Sequence, residues 1–236
     1  MTRELVYGRR PVREALLGPR EVLELWASER AVRSEEWLDE VERPRVQTKL
    51  ERDLTEAAGT RDHQGVAAWC EPFRYADAFE LVAGPAPLLA CLDQVSDPRN
   101  LGAVIRSAEG AGASGVVVPA HGSARVTAAV CRSSAGAVEH LPVAVVPNLA
   151  RYLADIKSGA LWVAGAVGES GTSMWEADLS GGVAFVFGAE GKGLRPLVRR
   201  TCDLQVSIPQ LGRVESLNVS VAAALLLYEA RRQRDG

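Results

Sequence analysis

Three short polar clusters carry the side chains of this chain best suited to chemistry, and each sits at the edge of an apolar element. In DPRNLGAVIRSAEGAG, Asn100 and Arg106 fall around the first turns of an expected helix. In FVFGAEGKGL, one carboxylate, Glu190, stands in a glycine-rich turn at the end of an apolar run. In CDLQVSIPQLGRVESLNVS, a short apolar strand passes through Pro209 and Gly212 to Ser216 and Asn218, which open a long apolar helix. A guanidinium, a carboxylate, two amides and a hydroxyl offer donors and acceptors to a polar ligand. The three clusters read as one site assembled from distant parts of the chain.

Each residue also has a plainer role available. Leu101, Val104, Ile105 and Ala108 recur at i, i+3, i+4, i+7 and predict the buried stripe of a helix. Arg106 lies off that stripe, beside Gly102 and Arg99, free to project toward a ligand or simply into solvent. Asn100 and Ser216 each fit a helix N-cap, and Glu190 fits a solvated turn. The turn around Glu190, however, follows the run VAFVF. Ligands of open α/β sheets gather beyond the carboxyl ends of strands, and glycines there let the backbone approach them closely.

Two glycine patterns mislead. Gly110-Ala-Gly112-Ala-Ser-Gly115 matches G-x-G-x-x-G, but a helix precedes it and the apolar run GVVV follows. A dinucleotide site needs the reverse order, so these glycines end a helix and turn the chain. In Gly188–Gly193, Lys192 is followed by glycine rather than Ser or Thr, which excludes a phosphate-binding P-loop.

The elements that must position these clusters are legible as apolar runs. The first 76 residues predict a small α/β unit, with helices at Pro11–Leu17, Ser34–Val41 and Asp53–Ala58. Its strands are expected at Val22–Ala27, Arg45–Thr48 and Gly65–Cys70. Gly84-Pro85-Ala86-Pro87 breaks any regular element, so residues 77–87 read as a linker. From residue 88 to 236, strand-length runs at Leu88–Leu92, Gly115–Val118, Val143–Val146, Leu161–Ala166 and Val183–Phe187 alternate with helical segments. Continuous rather than alternating apolar strands predict a mostly parallel sheet covered on both faces.

Composition narrows the class. The 236 residues are 47% apolar and 24% charged, with net charge −3, so no global positive field points to a polyanion partner. Local arginine clusters such as Arg9-Arg10 and Arg195, Arg199, Arg200 suit phosphate or a solvated face equally. The longest uncharged apolar stretch, Val219–Tyr228, is too short to span a bilayer. The opening MTRELVYGRRP lacks an apolar signal core. Four cysteines without a C-x-x-C pair, and three histidines away from them, predict free thiols, no metal and a cytoplasmic location.

In their order and spacing, NLGAVIRSAEGAGASGVVVP, VFGAEGKGL and SIPQLGRVESLNVSVAAALLLYEA resemble the three signature motifs of the SpoU (TrmH-type) RNA 2′-O-ribose methyltransferases, of the SPOUT class. VYGRRPVREAL and HQGVAAW look like the start and end of the ribosomal-protein-like substrate-binding domain found in members acting on 23S rRNA guanosine. The resemblance implies a substrate-binding domain over 1–76, a linker over 77–87 and a SPOUT catalytic domain over 88–236, with a parallel sheet and a deep trefoil knot. It implies S-adenosylmethionine as cofactor, contacted by Val167, Gly188, Ala189, Gly191, Ile208 and Leu217, with no metal. It implies RNA, 23S rRNA above all, as substrate, and a homodimer that uses the last helix.

By motif position the resemblance makes Arg106 the centre of activation, with Asn100, Glu190, Ser216 and Asn218 orienting it and the ribose. A guanidinium normally cannot act as a base, so electrostatic stabilisation of the developing alkoxide is the favoured role. This chain departs from the pattern at Arg213 and Glu215, where small or polar residues are usual, and at His121, where a basic residue often follows the strand. Two rival expectations share the fold: a non-catalytic RNA-binding or ribosome-assembly protein, and an rRNA adenosine 2′-O-methyltransferase that confers antibiotic resistance. A transfer-RNA enzyme fits less well, because that group usually lacks the N-terminal domain.

Overall fold

Strands whose side chains are apolar on both faces must be covered on both faces, and the larger sheet of this protein is built that way. The structure, a computed structural model, describes every residue except Met1, Gly159, Glu169, Val214 and Glu215. Glu215, one of the departures above, therefore lies outside the described residues. Two compact units divide the chain: residues 1–74 with 125–140, and residues 75–124 with 141–236.

The first unit contains β1 (Glu4–Tyr7), α1 (Arg9–Leu17), β2 (Val22–Ala27), α2 (Glu29–Ser34), β3 (Val46–Thr48), α3 (Glu51–Ala58) and β4 (Val66–Cys70). Its sheet runs β1-β4-β2-β3, antiparallel except for β2 with β3. The helix expected at 34–41 forms earlier. Ser28 caps it by accepting from the Ala31 amide (3.3 Å), and the extended backbone of Glu35 ends it. A single 3-10 turn, Glu36–Leu38, is all the helix that follows.

The second unit follows as β5 (Leu88–Asp93), α4 (Pro98–Gly110) and β6 (Gly115–Pro119). After α5 (Ala128–Ser133), which packs with the first unit, come β7 (Val143–Val146), α6 (Leu149–Asp155), β8 (Leu161–Val167) and β9 (Thr172–Ser173). β10 (Gly182–Gly188), α7 (Pro196–Thr201), β11 (Leu204–Ser207) and α8 (Val219–Asp235) complete it. Seven strands in the order β7-β6-β5-β10-β8-β11-β9 pair in parallel throughout. This is the α/β architecture with a parallel sheet that the apolar runs predict.

Side chains alternate between the faces of that sheet. Ala184 and Val186 of β10 join Leu149 and Leu153 of α6 and Val198 of α7 in one core layer. Val183, Phe185 and Phe187 point the other way, where α8 packs on β10 and β5 and lies against α4. Leu101, Val104, Ile105 and Ala108 are fully buried on α4, as their spacing requires. Each fully buried leucine or isoleucine of this kind contributes about 1.5–3 kcal/mol. Ala78 and Leu81, within the segment expected to be a linker, pack into the α6 and α7 layer, and Tyr152 donates its hydroxyl to the Ala78 carbonyl (2.8 Å).

Residues 125–140 fall inside the stretch expected to be one catalytic domain, yet they pack with the first unit. Their anchor is an ion pair of Glu139 with Arg20, whose side chains are 1% and 6% exposed. Cys70 and Cys131 lie beside that pair as free thiols, and burial pushes them up to about 12 and about 11.

At the far end of α8, the buried Glu229 carboxylate accepts from Arg232 Nε (2.9 Å) and Nη2 (2.8 Å) and from Gln233 Nε2 (2.8 Å). The Arg232 guanidinium, then the Gln233 amide, hold it down at about 2, against an ordinary value of 4.5. A carboxyl depressed in the native state stabilises the fold above its unfolded value and loses that contribution as the pH falls toward the native one. Glu229→Gln should therefore lower the thermal midpoint at neutral pH and flatten its decline between pH 4.5 and about 2. Melting curves across that window check it.

Candidate active site

The site begins where two helices start. Asp97 caps α4 by accepting from the Arg99 amide (2.8 Å), which leaves Asn100 one turn inside the helix with its side chain free. Asn218 caps α8 by accepting from the Ser220 amide (2.8 Å). The caps are thus Asp97 and Asn218, and the plainer reading of Asn100 and Ser216 as caps gives way. α4 and α8 run parallel: Asn100 meets Asn218 at their N-termini, and ten residues on Gly110 abuts Tyr228, whose hydroxyl would lie 2.8 Å from a Cβ placed at Gly110.

Between the two N-termini sits the Glu190 carboxylate. Its Oε1 accepts from Asn100 Nδ2 (3.0 Å) and from Asn218 Nδ2 (2.6 Å), and Asn218 Nδ2 also reaches Asn100 Oδ1 (3.1 Å). The positive ends of both helix dipoles favour a carboxylate there. Among the described residues Oε2 accepts no hydrogen bond, so it remains open to a ligand.

The turn that carries Glu190 is held from both sides. A Cβ at Gly188 would fall 2.1 Å from the Gly193 carbonyl carbon, so no other residue fits. Gly191 (φ 72) and Gly193 (φ 64) take the left-handed conformation, and the Gly193 amide donates to the Ala189 carbonyl (2.9 Å). Beyond the turn, the buried Asp93 at the end of β5 accepts from the Arg195 amide (2.8 Å) and Nε (2.7 Å).

Two cavities meet at this turn. One, of about 470 Å³, is lined by Val167, Gly188, Ala189, Gly191, Ile208 and Leu217, the six positions expected to contact a cofactor, together with Glu190 and Ser216. The other, of about 410 Å³, is lined by Gln94, Ser96, Asp97, Asn100, Gly122, Glu190 and Lys192, among others. Glu190, Ala189, Lys192 and Val219 line both. Two ligands placed side by side, with a carboxylate oxygen at their junction, suit group transfer from one to the other.

Arg106 stands apart. It is exposed, lines neither cavity and has no hydrogen-bond or ion-pair partner among the described residues. Six residues along a helix amount to about 9 Å of rise and a rotation of roughly 120° from Asn100, so the two cannot share a face. Arg106 instead shares a helical stripe with Ala103 and Gly110, next to Tyr228. On α8, Val221, Leu225 and Tyr228 expose an apolar stripe at 46%, 40% and 52%.

Sequence reasoning passed over Lys192, Gln210 and Arg199 as lining residues. Arg199 is steadied by Gln205 Oε1 (2.8 and 3.1 Å) and Ser170 Oγ (3.0 Å). Its one signal was membership of an arginine cluster near the glycine turn. Arg213 and His121 are exposed. Among the described residues no group of three or more His, Cys, Asp or Glu side chains is arranged to hold a metal ion, and no helix is long and apolar enough to cross a membrane.

Comparison with known proteins agrees with this geometry. Residues 87–228 match the model of the SpoU rRNA methylase family, and residues 5–76 match that of the RNA 2′-O ribose methyltransferase substrate-binding domain. The chain is 40% identical to the 23S rRNA (guanosine-2′-O-)-methyltransferase RlmB of Shewanella oneidensis, covering 98% of each. It is 36% identical to an uncharacterized tRNA/rRNA methyltransferase of Synechocystis sp., covering 98% of this chain but 63% of that longer one. The crystal structure of the SpoU methyltransferase AviRb from Streptomyces viridochromogenes, in complex with AdoMet, superposes with a TM-score of 0.83 at 28% identity, covering 99% of this chain and 91% of that one.

Asn218 both caps α8 and holds Glu190, and substitution separates the two tasks. Asn218→Ala should cost about 1 kcal/mol in stability, whereas Asn218→Ser, which can still cap, should cost only a few tenths. Both remove the Asn218 donor to Glu190 and leave the Asn100 donor in place. Chemical denaturation of the two variants beside the parent checks the difference.

Proposed function

The chain belongs to the SpoU rRNA methylase family, and from that premise we propose that it methylates the ribose 2′-oxygen of a guanosine in the peptidyl-transferase region of 23S rRNA, using S-adenosylmethionine. The observation that carries this reading is the pair of cavities that share Glu190, one lined by the glycine turn and the six positions implied for the cofactor, the other reaching Gln94 and Asn100. Guanosine of 23S rRNA is favoured over the adenosine of a resistance enzyme by the 40% identity, over 98% of both chains, with a protein named 23S rRNA (guanosine-2′-O-)-methyltransferase RlmB. A non-catalytic RNA-binding protein is disfavoured because Asn100, Glu190, Ser216 and Asn218 are all retained, and three of them are hydrogen-bonded together.

The residues present fit the cofactor. Gly188 cannot carry a side chain without striking Gly193, so backbone amides and carbonyls line that wall. Val167, Ile208 and Leu217 supply apolar surface for an adenine, with Ala189 and Gly191 beside them. When bound, S-adenosylmethionine supplies a methyl group on a sulfonium that departs as a neutral thioether. The chain's own residues align and activate the acceptor. Glu190, fixed through Oε1, offers Oε2 to the ribose hydroxyl, and Ser216 lies on the cofactor side of the same carboxylate. Arg106 stabilises the developing alkoxide by charge.

Arg106 performs that task from the partner subunit of a homodimer. Its separation from Asn100 within one chain supports this, as does the exposed stripe of Val221, Leu225 and Tyr228 beside its own helical face. Residues 1–74 with 125–140 bind the RNA substrate, and 75–124 with 141–236 catalyse, in the cytoplasm. The trefoil knot belongs to the same reading. It is supported by the chain leaving β11 beside β8 and returning past the Glu190 turn to pack α8 on β10, β5 and α4.

Arg106→Ala should lower methyl transfer to 23S rRNA roughly 10²- to 10³-fold while cofactor affinity by calorimetry stays within about twofold. Equal loss of both would remove Arg106 from the chemistry. Mixing Arg106→Ala chains with Glu190→Gln chains should restore about one quarter of parental activity, because mixed dimers hold one intact site of two. No recovery, or a monomer by light scattering, would place Arg106 in its own chain's site.

A further inference from the structure

We propose that Gln94 grips the base of the acceptor nucleotide, with its side-chain amide bonded to the O6 and N1–H edge of guanine. The inference rests on the functional reading above and adds a base-contacting residue to it. Gln94 follows β5 at the carboxyl edge of the sheet and lines the second cavity with Ser96 and Gly122, while Asn100, Glu190 and Lys192 line it as well. A ribose placed at Glu190 leaves the part of the cavity nearer Gln94 for the base.

Three observations single out this glutamine. Its backbone takes φ 63, a left-handed conformation that residues with a Cβ rarely adopt. Its side chain lies over Gly122, where an added Cβ would sit 3.0 Å from Gln94 Nε2 and 3.3 Å from Cγ. The Ala124 amide donates to the Val95 carbonyl (2.9 Å), which ties the two loops together and holds the glutamine against the glycine. The amide itself makes no hydrogen bond among the described residues. A half-buried amide, held in place at a cavity wall and unpartnered, is ready to bond a ligand.

The chemistry of the edge follows from the donor and acceptor inventory. Gln94 Nε2 donates to guanine O6, and guanine N1–H donates to Gln94 Oε1, two parallel bonds in one plane. Inosine retains both groups; 2-aminopurine has neither.

The test uses 23S rRNA fragments carrying guanosine, inosine or 2-aminopurine at the mapped methylation position. The parent should methylate the guanosine and inosine RNAs alike and the 2-aminopurine RNA about tenfold or more less efficiently in kcat/KM. Gln94→Gly suits the left-handed backbone and should keep the thermal midpoint and cofactor affinity, yet bring all three RNAs to the same low level through KM. Gln94→Glu keeps the shape over Gly122 but loses the donor to O6, and should lose guanosine transfer similarly. If both variants keep the parent's rates and its preference among the three RNAs, Gln94 serves only the turn and the inference falls. A parent that binds cofactor and methylates guanosine but treats 2-aminopurine equally also overturns it, leaving the functional reading intact. A parent that transfers no methyl to any ribosomal RNA overturns both.

Discussion

One carboxylate oxygen organises the candidate site. Glu190 Oε1 accepts from the amides of Asn100 and Asn218, which open two parallel helices and come from segments 90 and 28 residues away. Each partner restrains the others: Asn218 cannot cap α8 without also facing Glu190 and Asn100, and α4 cannot rotate without losing Asn100. With one oxygen tied down, the second has a fixed direction at the junction of two cavities. The ionised acceptor and the aligned helix ends strengthen these hydrogen bonds although they lie at an exposed surface.

The glycine turn serves the same end by a different force. Gly188 is chosen by exclusion, since any Cβ would collide with the backbone of Gly193, and the buried Asp93 anchors the chain again at Arg195. The parallel sheet puts this turn at its carboxyl edge, where strands end and loops must find partners. A close-packed backbone wall on one side and an apolar wall of Val167, Ile208 and Leu217 on the other make a pocket whose specificity rests on shape and main-chain groups. The second cavity shares Ala189, Glu190, Lys192 and Val219 with it, which puts two ligand spaces side by side at one carboxylate.

The first unit is more than the N-terminal segment of the sequence. Residues 125–140 leave the parallel sheet between β6 and β7 and complete it, through the buried Arg20 and Glu139 pair. Burying two charges is costly unless each satisfies the other. A long excursion that ends in such a pair is therefore specified in register and not merely tolerated.

The apolar runs located every strand of the parallel sheet except the two-residue β9, because a strand covered on both faces has few polar positions to blur its limits, whereas Thr172 and Ser173 carry no apolar signal. The family resemblance, not spacing by itself, pointed to Asn100, Glu190 and Asn218, which the fold brings together, and to six positions that line one cavity, while Arg106 lies outside both cavities. The sequence could not decide which residue caps which helix: Asp97, Asn100, Ser216 and Asn218 are all competent, and the choice depends on where Glu190 arrives from another part of the chain. It misjudged the helix at 34–41, since an alternative cap at Ser28 captured the segment first, and it could not foresee that residues 125–140 would join another unit. Arg106 shows the division most clearly. Its place in the motif was readable from spacing, but helical geometry turns it away from Asn100. The six-residue spacing already implied that turn; only the fold decided that Glu190 and Asn218 meet the Asn100 face and leave Arg106 exposed, because both arrive from distant parts of the chain.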